Sequence, residues 1–166
     1  FDGNDDKVNF GDVNALDGLG AITVASWVKS TGFDGGQFKF LVSKDMIYAS
    51  ASPWALFGGT GYSLHPEFSV VIGGVSKSSG QASTNLTDGQ WHHVVGRYDS
   101  SAVSIWIDGV KKSEAPASGS MDSSSDPVLV GYIDAFGWQG FIDDVRIYNR
   151  ALSAQEILDV YNYAGG

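Results

Sequence analysis

Carboxylates at the two ends of the chain are the first residues whose types and spacing could do chemistry. Asp2, Asp5 and Asp6 stand beside Gly3, which permits a sharp turn, and Asp143 stands near the other end. Calcium binds about six to eight hard oxygens, mainly from carboxylates and backbone carbonyls. Terminal strands of a two-sheet sandwich are commonly neighbours, so we expect these groups to meet and hold a structural calcium ion. In the alternative interpretation Asp143 accepts backbone hydrogen bonds and the opening acids are solvated.

The expected parity of the last strand favours the calcium interpretation. Along residues 141–147, Phe141, Val145 and Ile147 share the face of Asp143 in a regular strand. The carboxylate of Asp143 would then lie at the end of an apolar face, where burial without a partner is costly. A cation that is also bound by the opening turn would satisfy it.

Large aromatic side chains outside the regular strands form the second group. Trp54 lies in the segment 45–60, which is predicted to be a loop, and Trp138 precedes the last strand. Exposed aromatic rings can stack on the apolar faces of sugars while nearby polar groups bind the hydroxyls. We predict that both tryptophans are partly exposed and bind carbohydrate, unless Trp54 caps the sandwich. Aromatic neighbours in the sequence complete this predicted site: Tyr132, Phe136 and Tyr48.

Polar side chains offer weaker candidates for the same site, and for catalysis. The residues that could bind sugar hydroxyls are His65, Glu67, Arg97 and Lys44. Retaining glycosidases need two carboxylates about 5–5.5 Å apart, normally glutamates. The chain has three glutamates (Glu67, Glu114 and Glu156), and none stands in an E-x-D-x-x-E-like strand. Arg97 and Tyr98 are consecutive strand residues, so they point to opposite faces and cannot share a lyase site. We therefore expect a protein that does not catalyse a reaction.

The composition limits the possible partners. The 166 residues carry a formal net charge of −9, which disfavours binding to nucleic acid and to anionic lipid. There is no cysteine, so a disulfide scaffold and a thiolate metal site are excluded. No apolar run approaches the roughly 18 residues that a membrane-spanning helix needs, so we expect a soluble chain without membrane insertion. Because the sequence begins abruptly at Phe1, we expect it to be a piece of a longer or processed protein.

Period-two alternation predicts an all-β fold made of two antiparallel sheets in one domain, 1–166. Residues 22–29 and 103–107 alternate most clearly, and Asp108-Gly109 predicts a tight hairpin after the latter. One short C-terminal helix is predicted from the S-x-x-E capping box of Ser153 and Glu156 and an apolar stripe of Ile157, Leu158 and Tyr161. The other predicted strands are 7–10, 38–43, 61–65, 68–73, 91–99, 111–115, 128–132 and 140–148, with loops at 45–60 and 116–127.

Four segments of the chain, taken in order, resemble one known family. They are FDGNDDKVNFG (1–11), DGQWHHVVGRYD (88–99), VSIWIDGV (103–110) and GFIDDVRIYNRALSAQEI (140–157). Together they resemble the laminin-G-like, concanavalin A-like jelly-roll family, in the branch common in bacterial extracellular proteins. The resemblance implies two stacked sheets, one of them concave, and in many members a calcium ion near the termini.

The resemblance also bears on the other aromatic residues. Trp91 and His93 stand in a W-x-H segment typical of the family, which implies a structural role for both. Trp27 and Trp106 lie opposite the core parity of their strands, so they either line the concave sheet or lie under a loop.

Within this family, carbohydrate-binding modules, protein-adhesion modules and structural spacers share one fold, so the fold does not decide the function. Adhesion modules of the matrix type usually carry a disulfide, which this chain lacks, and its ALSAQEI segment is typical of the bacterial branch. We therefore expect a secreted, lectin-like carbohydrate-binding module that binds a polysaccharide or oligosaccharide. It would contain a structural calcium ion, be tethered in cis to a catalytic domain and be a monomer. Adhesion and a spacer role stay open as alternatives.

Overall fold

Two antiparallel sheets face each other in the computed structural model, which describes residues 1–32, 38–44, 52–60, 63–131 and 136–163. The strands, in chain order, are β1 (Val8–Asp12), β2 (Ile22–Ser30), β3 (Phe38–Lys44), β4 (Trp54–Thr60), β5 (Glu67–Ile72), β6 (Val75–Ser78), β7 (His92–Tyr98), β8 (Ala102–Ile107), β9 (Val110–Pro116), β10 (Pro127–Val130) and β11 (Gly140–Tyr148). One sheet has the order β1-β10-β3-β4-β5-β6 and the other β11-β2-β7-β8-β9. The predicted jelly-roll sandwich is confirmed.

The hydrophobic core lies between the two sheets. On the five-stranded sheet it includes the residues whose alternation predicted these strands: Ile22, Val24, Val28, Val103, Ile105 and Ile107. The six-stranded sheet contributes Trp54, Leu56, Phe68 and Val70, all fully buried. Side chains of alternate parity point to the outer face of each sheet, which is the face turned away from the core.

The α-helix α1 (Ala154–Tyr163) follows β11 and covers part of the outer face of the five-stranded sheet. Its capping box is confirmed: the Glu156 amide donates to Ser153 Oγ at 3.2 Å, and the Ser153 amide donates to Glu156 Oε2 at 2.8 Å. Ile157 is fully buried on the sheet, whereas Leu158 is 38% exposed. No helix in the described part of the chain has the length and apolar character needed to cross a bilayer.

Two strands differ from the sequence-based prediction. β4 lies inside the segment predicted to be a loop, because its two faces are both buried and an apolar strand of that kind shows no alternation. β6 is a short polar strand at the edge of its sheet and has little pattern to detect. In the predicted strand 61–65, residues 63–65 are not a strand.

The two ends of the chain meet at the start of β11 through the N-terminal tail, although the terminal strands β1 and β11 lie in different sheets. The Phe1 amino group donates to the Gly140 carbonyl at 2.9 Å, and the Gly140 amide donates to the Phe1 carbonyl at 2.9 Å. Asp2 forms an isolated antiparallel bridge with Gln139. The N-terminal tail therefore closes one end of the sandwich against the last strand.

A bulge in β11 makes the predicted parity of this strand wrong for Phe141 and Asp143, whereas Val145 and Ile147 pack against the core as predicted. The register with β2 shifts between Asp143 and Arg146, and Asp144 has a φ of 46°. Ile142, Val145 and Ile147 pack against the core as a result. Phe141 and Asp143 pair with Lys29 and Trp27 on the outer face of the sheet.

Candidate functional site

Three carboxylates converge in the opening turn. The ligand oxygens of Asp2, Asp5 and Asp6 lie within 4.8 Å of one another, and all three residues are exposed. Gly3 has a φ of 90°, a conformation that favours glycine. The Asn4 amide donates to Asp2 Oδ1 at 2.8 Å, and this bond, first among several causes, lowers the pKa of Asp2. The turn offers the hard oxygen donors that calcium prefers.

Asp143 is not part of this carboxylate group. The bulge turns it to the outer face, where it is exposed and its Oδ1 accepts a bond from the Asp144 amide at 2.7 Å. Asp143 therefore agrees with the alternative interpretation from the sequence, in which it accepts a backbone hydrogen bond. Sequence parity alone could not reveal this, because a bulge shifts every later residue by one position.

The prediction that Trp54 and Trp138 are exposed is wrong. Trp54 is 0% exposed and lies on the inner face of β4, and Trp138 is 1% exposed in the core. A Cβ on Gly58 would lie 2.4 Å from the Trp138 ring, so this glycine leaves the space that the indole occupies. The Trp138 Nε1 donates to the Phe141 carbonyl at 3.2 Å. Neither ring can stack on a sugar from solvent.

Of the remaining predicted sugar ligands, Phe136 alone lies within the described residues. Phe136 is partly buried in an aromatic cluster on the outer face of the six-stranded sheet. Its ring centroid lies 5.8 Å from that of Phe38, in an edge-to-face arrangement. Tyr132 and Tyr48 lie outside the described residues.

Trp27 and Trp106 were expected either to line the concave sheet or to lie under a loop. Both lie under a covering segment, which is helix α1 instead of a loop. Trp106 packs with Leu152 and Ile157 in a small outer core. Trp27 stacks on Tyr161 of the helix, with ring centroids 5.5 Å apart and planes tilted by 19°. His93 is 1% exposed beside both rings, and burial lowers its pKa to about 4. The structural role predicted for His93 is consistent with this packing.

The polar candidates are bound to other protein groups. Lys44 is fully buried and contacts Asp12 Oδ1 at 2.5 Å. Arg97 donates from Nε to the Leu152 carbonyl at 2.7 Å. The His65 Nδ1 lies 2.9 Å from the Ala82 carbonyl oxygen. Each of these side chains stabilises a connection between segments.

The three glutamates are likewise engaged in local contacts. Ser78 Oγ donates to Glu67, and Lys111 donates to Glu114 Oε2 at 2.9 Å. Glu156 accepts from Arg150 and caps α1, and these bonds, led by the Arg150 contact, lower its pKa to about 2. Tyr98 lies in the core and Arg97 packs outward against Leu152, so these two side chains diverge as predicted.

An exposed aromatic surface lies instead at the end of the outer face that α1 leaves uncovered. Phe141 on β11 is 54% exposed and pairs with Lys29 on β2. Trp91, just before β7, is 42% exposed, and its ring centroid lies 6.1 Å from that of Phe141. Because Val28 pairs with His92, Lys29 is level with Trp91. We call Trp91, Lys29 and Phe141 the Trp91–Phe141 surface.

A polar cleft of about 460 Å³ opens beside this surface. Lys29 belongs to both, and the lining contains groups of both charges together with hydroxyl and backbone groups. The cleft is lined by Lys29, Ser30, Thr31, Gly32, Thr87, Asp88 and Gly89. Such a cleft offers hydrogen-bond donors and acceptors next to apolar rings, the combination that binds small polar ligands with an apolar face.

Sequence reasoning missed this surface. Trp91 was predicted to be structural, and Phe141 was placed on the core face of a regular strand. The exposure of Trp91 depends on where α1 ends over the sheet, and that of Phe141 depends on the bulge. The one available signal was parity: Trp91 and His93 share a face, and Lys29 and Trp27 share the same one.

The family model described as the concanavalin A-like lectin/glucanases superfamily matches residues 2–158, which span both sheets and the first half of α1. The chain belongs to this superfamily. The concanavalin A-like domain finds no match among curated protein sequences.

Three solved structures illustrate the fold that this concanavalin A-like domain shares with known proteins. Domain 4 of an extracellular arabinanase from Geobacillus stearothermophilus, in complex with arabinotriose, has a TM-score of 0.72 and 19% identity and covers 97% of this chain and 74% of its own. A Bacteroides ovatus protein to which carbohydrate binding is ascribed has a TM-score of 0.72 and 15% identity, with coverages of 93% and 44%. The binding domain of botulinum neurotoxin DC in complex with SialylT has a TM-score of 0.70 and 11% identity, with coverages of 95% and 39%. This chain thus spans less than half of the last two, and identities this low show the fold alone.

Proposed function

We propose that this concanavalin A-like domain is a non-catalytic carbohydrate-binding module that binds a polysaccharide through exposed aromatic side chains. The observation that carries the proposal is the pair of exposed rings, Trp91 and Phe141, 6.1 Å apart beside a polar cleft. The structural neighbour bound to arabinotriose supports a sugar as the ligand class.

The chemistry of the Trp91–Phe141 surface suits a neutral sugar chain. The ring of a sugar has an apolar face that can lie on Trp91 or Phe141, and its hydroxyls need both donors and acceptors. In the cleft, Lys29 is a donor, Asp88 is an acceptor, and the Thr87 hydroxyl can act as either. The balanced lining and the net charge of −9 together disfavour a strongly anionic glycan.

The contacts of the three glutamates support a module that does not catalyse hydrolysis. Glycosidase chemistry needs two carboxylates placed around one bond, with different protonation states. Glu156 is held by the helix cap, Glu114 by Lys111 and Glu67 by Ser78. We expect no release of reducing ends from plant and algal polysaccharides. Robust turnover that Glu67→Gln abolishes would contradict this part of the proposal.

Affinity gel electrophoresis with arabinan, xylan, laminarin and cellulose derivatives tests the binding site. Trp91→Ala and Phe141→Ala should each weaken retention by at least about fivefold, since loss of a stacking aromatic commonly costs more than about 1 kcal/mol. Phe10→Ala is the matched control, because Phe10 is 60% exposed but lies on β1. The site is wrong if both variants bind as well as the wild type.

We also propose that calcium stabilises the fold at the opening turn, held by Asp2, Asp5 and Asp6 with Gly3 shaping the turn. The meeting of three carboxylates within 4.8 Å supports this proposal. At a hundredfold excess over Kd, a bound ion stabilises the folded state by about 2.7 kcal/mol. A bound ion would also hold Phe1 and Asp2 against β11, where the tail pairs with Gln139 and Gly140.

Thermal denaturation with EDTA and with added calcium measures this stabilisation. The wild-type melting temperature should fall on EDTA treatment and recover with calcium, and Asp5→Asn should remove the response. Asp143→Asn should keep it, because Asp143 lies outside the carboxylate group. A wild-type curve that ignores both additions would rule out the ion.

The wider setting of the domain belongs to the same proposal. A binding module of this fold is useful when it holds a second domain near a polysaccharide, which raises the local concentration of the substrate for that domain. We propose that the domain is extracellular, monomeric and tethered in cis to a catalytic domain. The arabinanase neighbour, whose domain 4 has this fold, supports the arrangement.

A further inference from the structure

His92 is held between two carboxylates at the edge of the polar cleft. Its Nδ1 lies 2.8 Å from Asp108 Oδ2, and its Nε2 lies 3.2 Å from both oxygens of Asp88. The side chain is only 14% exposed. His92 therefore connects the turn before β7, which carries Asp88, with the turn between β8 and β9, which carries Asp108.

The arrangement is satisfied only by the protonated imidazole. A neutral imidazole has one N–H donor and one nitrogen lone pair, whereas the imidazolium has two N–H donors. Both ring nitrogens of His92 face carboxylate oxygens, which accept hydrogen bonds. Deprotonation would place a lone pair against one carboxylate and break that contact.

The contact that breaks on deprotonation is the one with Asp88. Asp108 is fixed from its other oxygen, because Asp108 Oδ1 accepts a bond from the His93 amide at 2.9 Å. Among the described residues, the bond that Asp88 accepts besides its His92 contact is local, from the Gln90 amide at 2.9 Å, and the Asp88 side chain is half exposed. Leu86, which precedes this wall, is buried in the core and its amide donates to the Leu64 carbonyl at 2.9 Å. The His92–Asp88 contact is thus the side-chain link between the exposed Thr87–Gly89 wall and β7.

We propose that His92 is a positioning residue whose protonated form holds the Thr87–Gly89 wall of the polar cleft, so that glycan affinity falls as the pH rises. This inference rests on the proposed carbohydrate-binding function. The wall includes Asp88, and it lies two residues before Trp91, so release of Asp88 loosens the cleft and one side of the Trp91–Phe141 surface.

The charges around His92 favour its protonated form, in agreement with an affinity that falls as the pH rises. Burial alone would lower its pKa, but the hydrogen bonds and charges of Asp108 and Asp88 outweigh burial and raise the pKa above the ordinary 6.5. The pKa of Asp88 is lowered, first by its bond from the Gln90 amide, so this carboxylate stays ionised in mild acid. On the neighbouring strand β2, the apolar Val28 pairs with His92, and Lys29 faces outward.

NMR titration of the ligand-free domain tests whether protonated His92 holds the Thr87–Gly89 wall. The His92 ring should titrate with a midpoint above 6.5, and the amides of 87–89 and the Trp91 indole should shift with the same midpoint. Asp88→Asn should lower that midpoint. If the 87–89 amides do not shift with the midpoint of His92, or if that midpoint is unchanged in Asp88→Asn, His92 does not hold this wall.

Affinity gels with arabinan between about pH 5.5 and about pH 8 test its effect on binding. Retention of the wild type should fall on the order of threefold to tenfold across His92's midpoint. His92→Gln should bind with a flat profile, and His65→Gln, whose ring contacts carbonyls instead of Asp88, should keep the wild-type profile. Retention of arabinan with no pH dependence would overturn the inference alone, whereas absence of retention of every polysaccharide at every pH would overturn the proposed function and the inference with it.

Discussion

The buried imidazole of His93 makes a quantitative prediction about acid stability. His93 packs against Trp27 and Tyr161, with ring centroids 5.4 Å and 6.0 Å away, and its Nδ1 has no hydrogen-bond partner among the described residues. Burial lowers its pKa from 6.5 to about 4. We predict that His93→Phe removes a large part of the sensitivity of this fold to mild acid.

The magnitude follows from linkage. A histidine with a depressed folded-state pKa contributes stability above its unfolded pKa and loses it as the pH falls toward the folded value. The difference between 6.5 and about 4 is about 2.5 units, and each unit is worth about 1.36 kcal/mol. At about pH 5 the free energy of unfolding would be lower by roughly 2 kcal/mol, because His93 is still mostly neutral in the folded protein and almost fully charged in the unfolded chain.

Urea denaturation followed by circular dichroism at about pH 7.5 and about pH 5 measures the effect. His93→Phe should be close to the wild type at the higher pH, and it should gain about 2 kcal/mol relative to the wild type at the lower pH. His92 acts in the opposite direction, since its raised pKa adds stability as the pH falls, but this contribution is common to both proteins and cancels.

Tyr161→Phe is the control for packing changes beside His93. It keeps the ring that lies against the imidazole, so its difference from the wild type should be the same at both pH values. If His93→Phe shows no gain at about pH 5, the imidazole is protonated in the folded protein and the burial argument is wrong.

Three further predictions concern the core, a buried cation and the helix cap. Trp138→Ala should lower the free energy of unfolding by about 3–5 kcal/mol in urea titrations, and a loss below about 1 kcal/mol would show that the ring is not in the core. Lys44→Met should lower the free energy of unfolding by about 2–3 kcal/mol, because it leaves Asp12 without its buried partner. Lys111→Met, which removes one member of an exposed pair, should lower it by less than about 1 kcal/mol. Equal losses in the two variants would contradict this contrast. Ser153→Ala should lower the free energy of unfolding by about 1 kcal/mol through loss of the N-cap, which thermal denaturation can measure. An unchanged melting curve would show that the Ser153 cap does not stabilise the fold.

Local sequence signals predicted a large part of this fold. The alternation in β2 and β8 identified the core residues correctly, and the S-x-x-E pattern identified the start of α1. These features depend on residues close together in sequence. The meeting of the chain ends could also be predicted, because it follows from the topology of the family.

The candidate site was harder to predict because it depends on contacts between distant segments. Trp54 and Trp138 stand in segments without strand alternation, yet both are buried: Trp54 lies in the core between the sheets, and Trp138 fills the space that Gly58 leaves. Phe141 is exposed because a bulge in β11 reverses the parity expected for a regular strand. Trp91 is exposed because the helix packs over its neighbours Trp27 and His93 instead.

Chemical-shift mapping of a bound oligosaccharide tests the central claim most directly. The probe is an oligosaccharide prepared from whichever polysaccharide the domain retains in affinity gels, added to the isotope-labelled domain. The largest shifts should fall on the Trp91 indole, Lys29, Phe141 and the amides of Thr87–Gly89. Shifts confined to the aromatic cluster of the six-stranded sheet, around Phe38 and Phe136, would place the ligand on the opposite sheet and contradict the assignment of the Trp91–Phe141 surface.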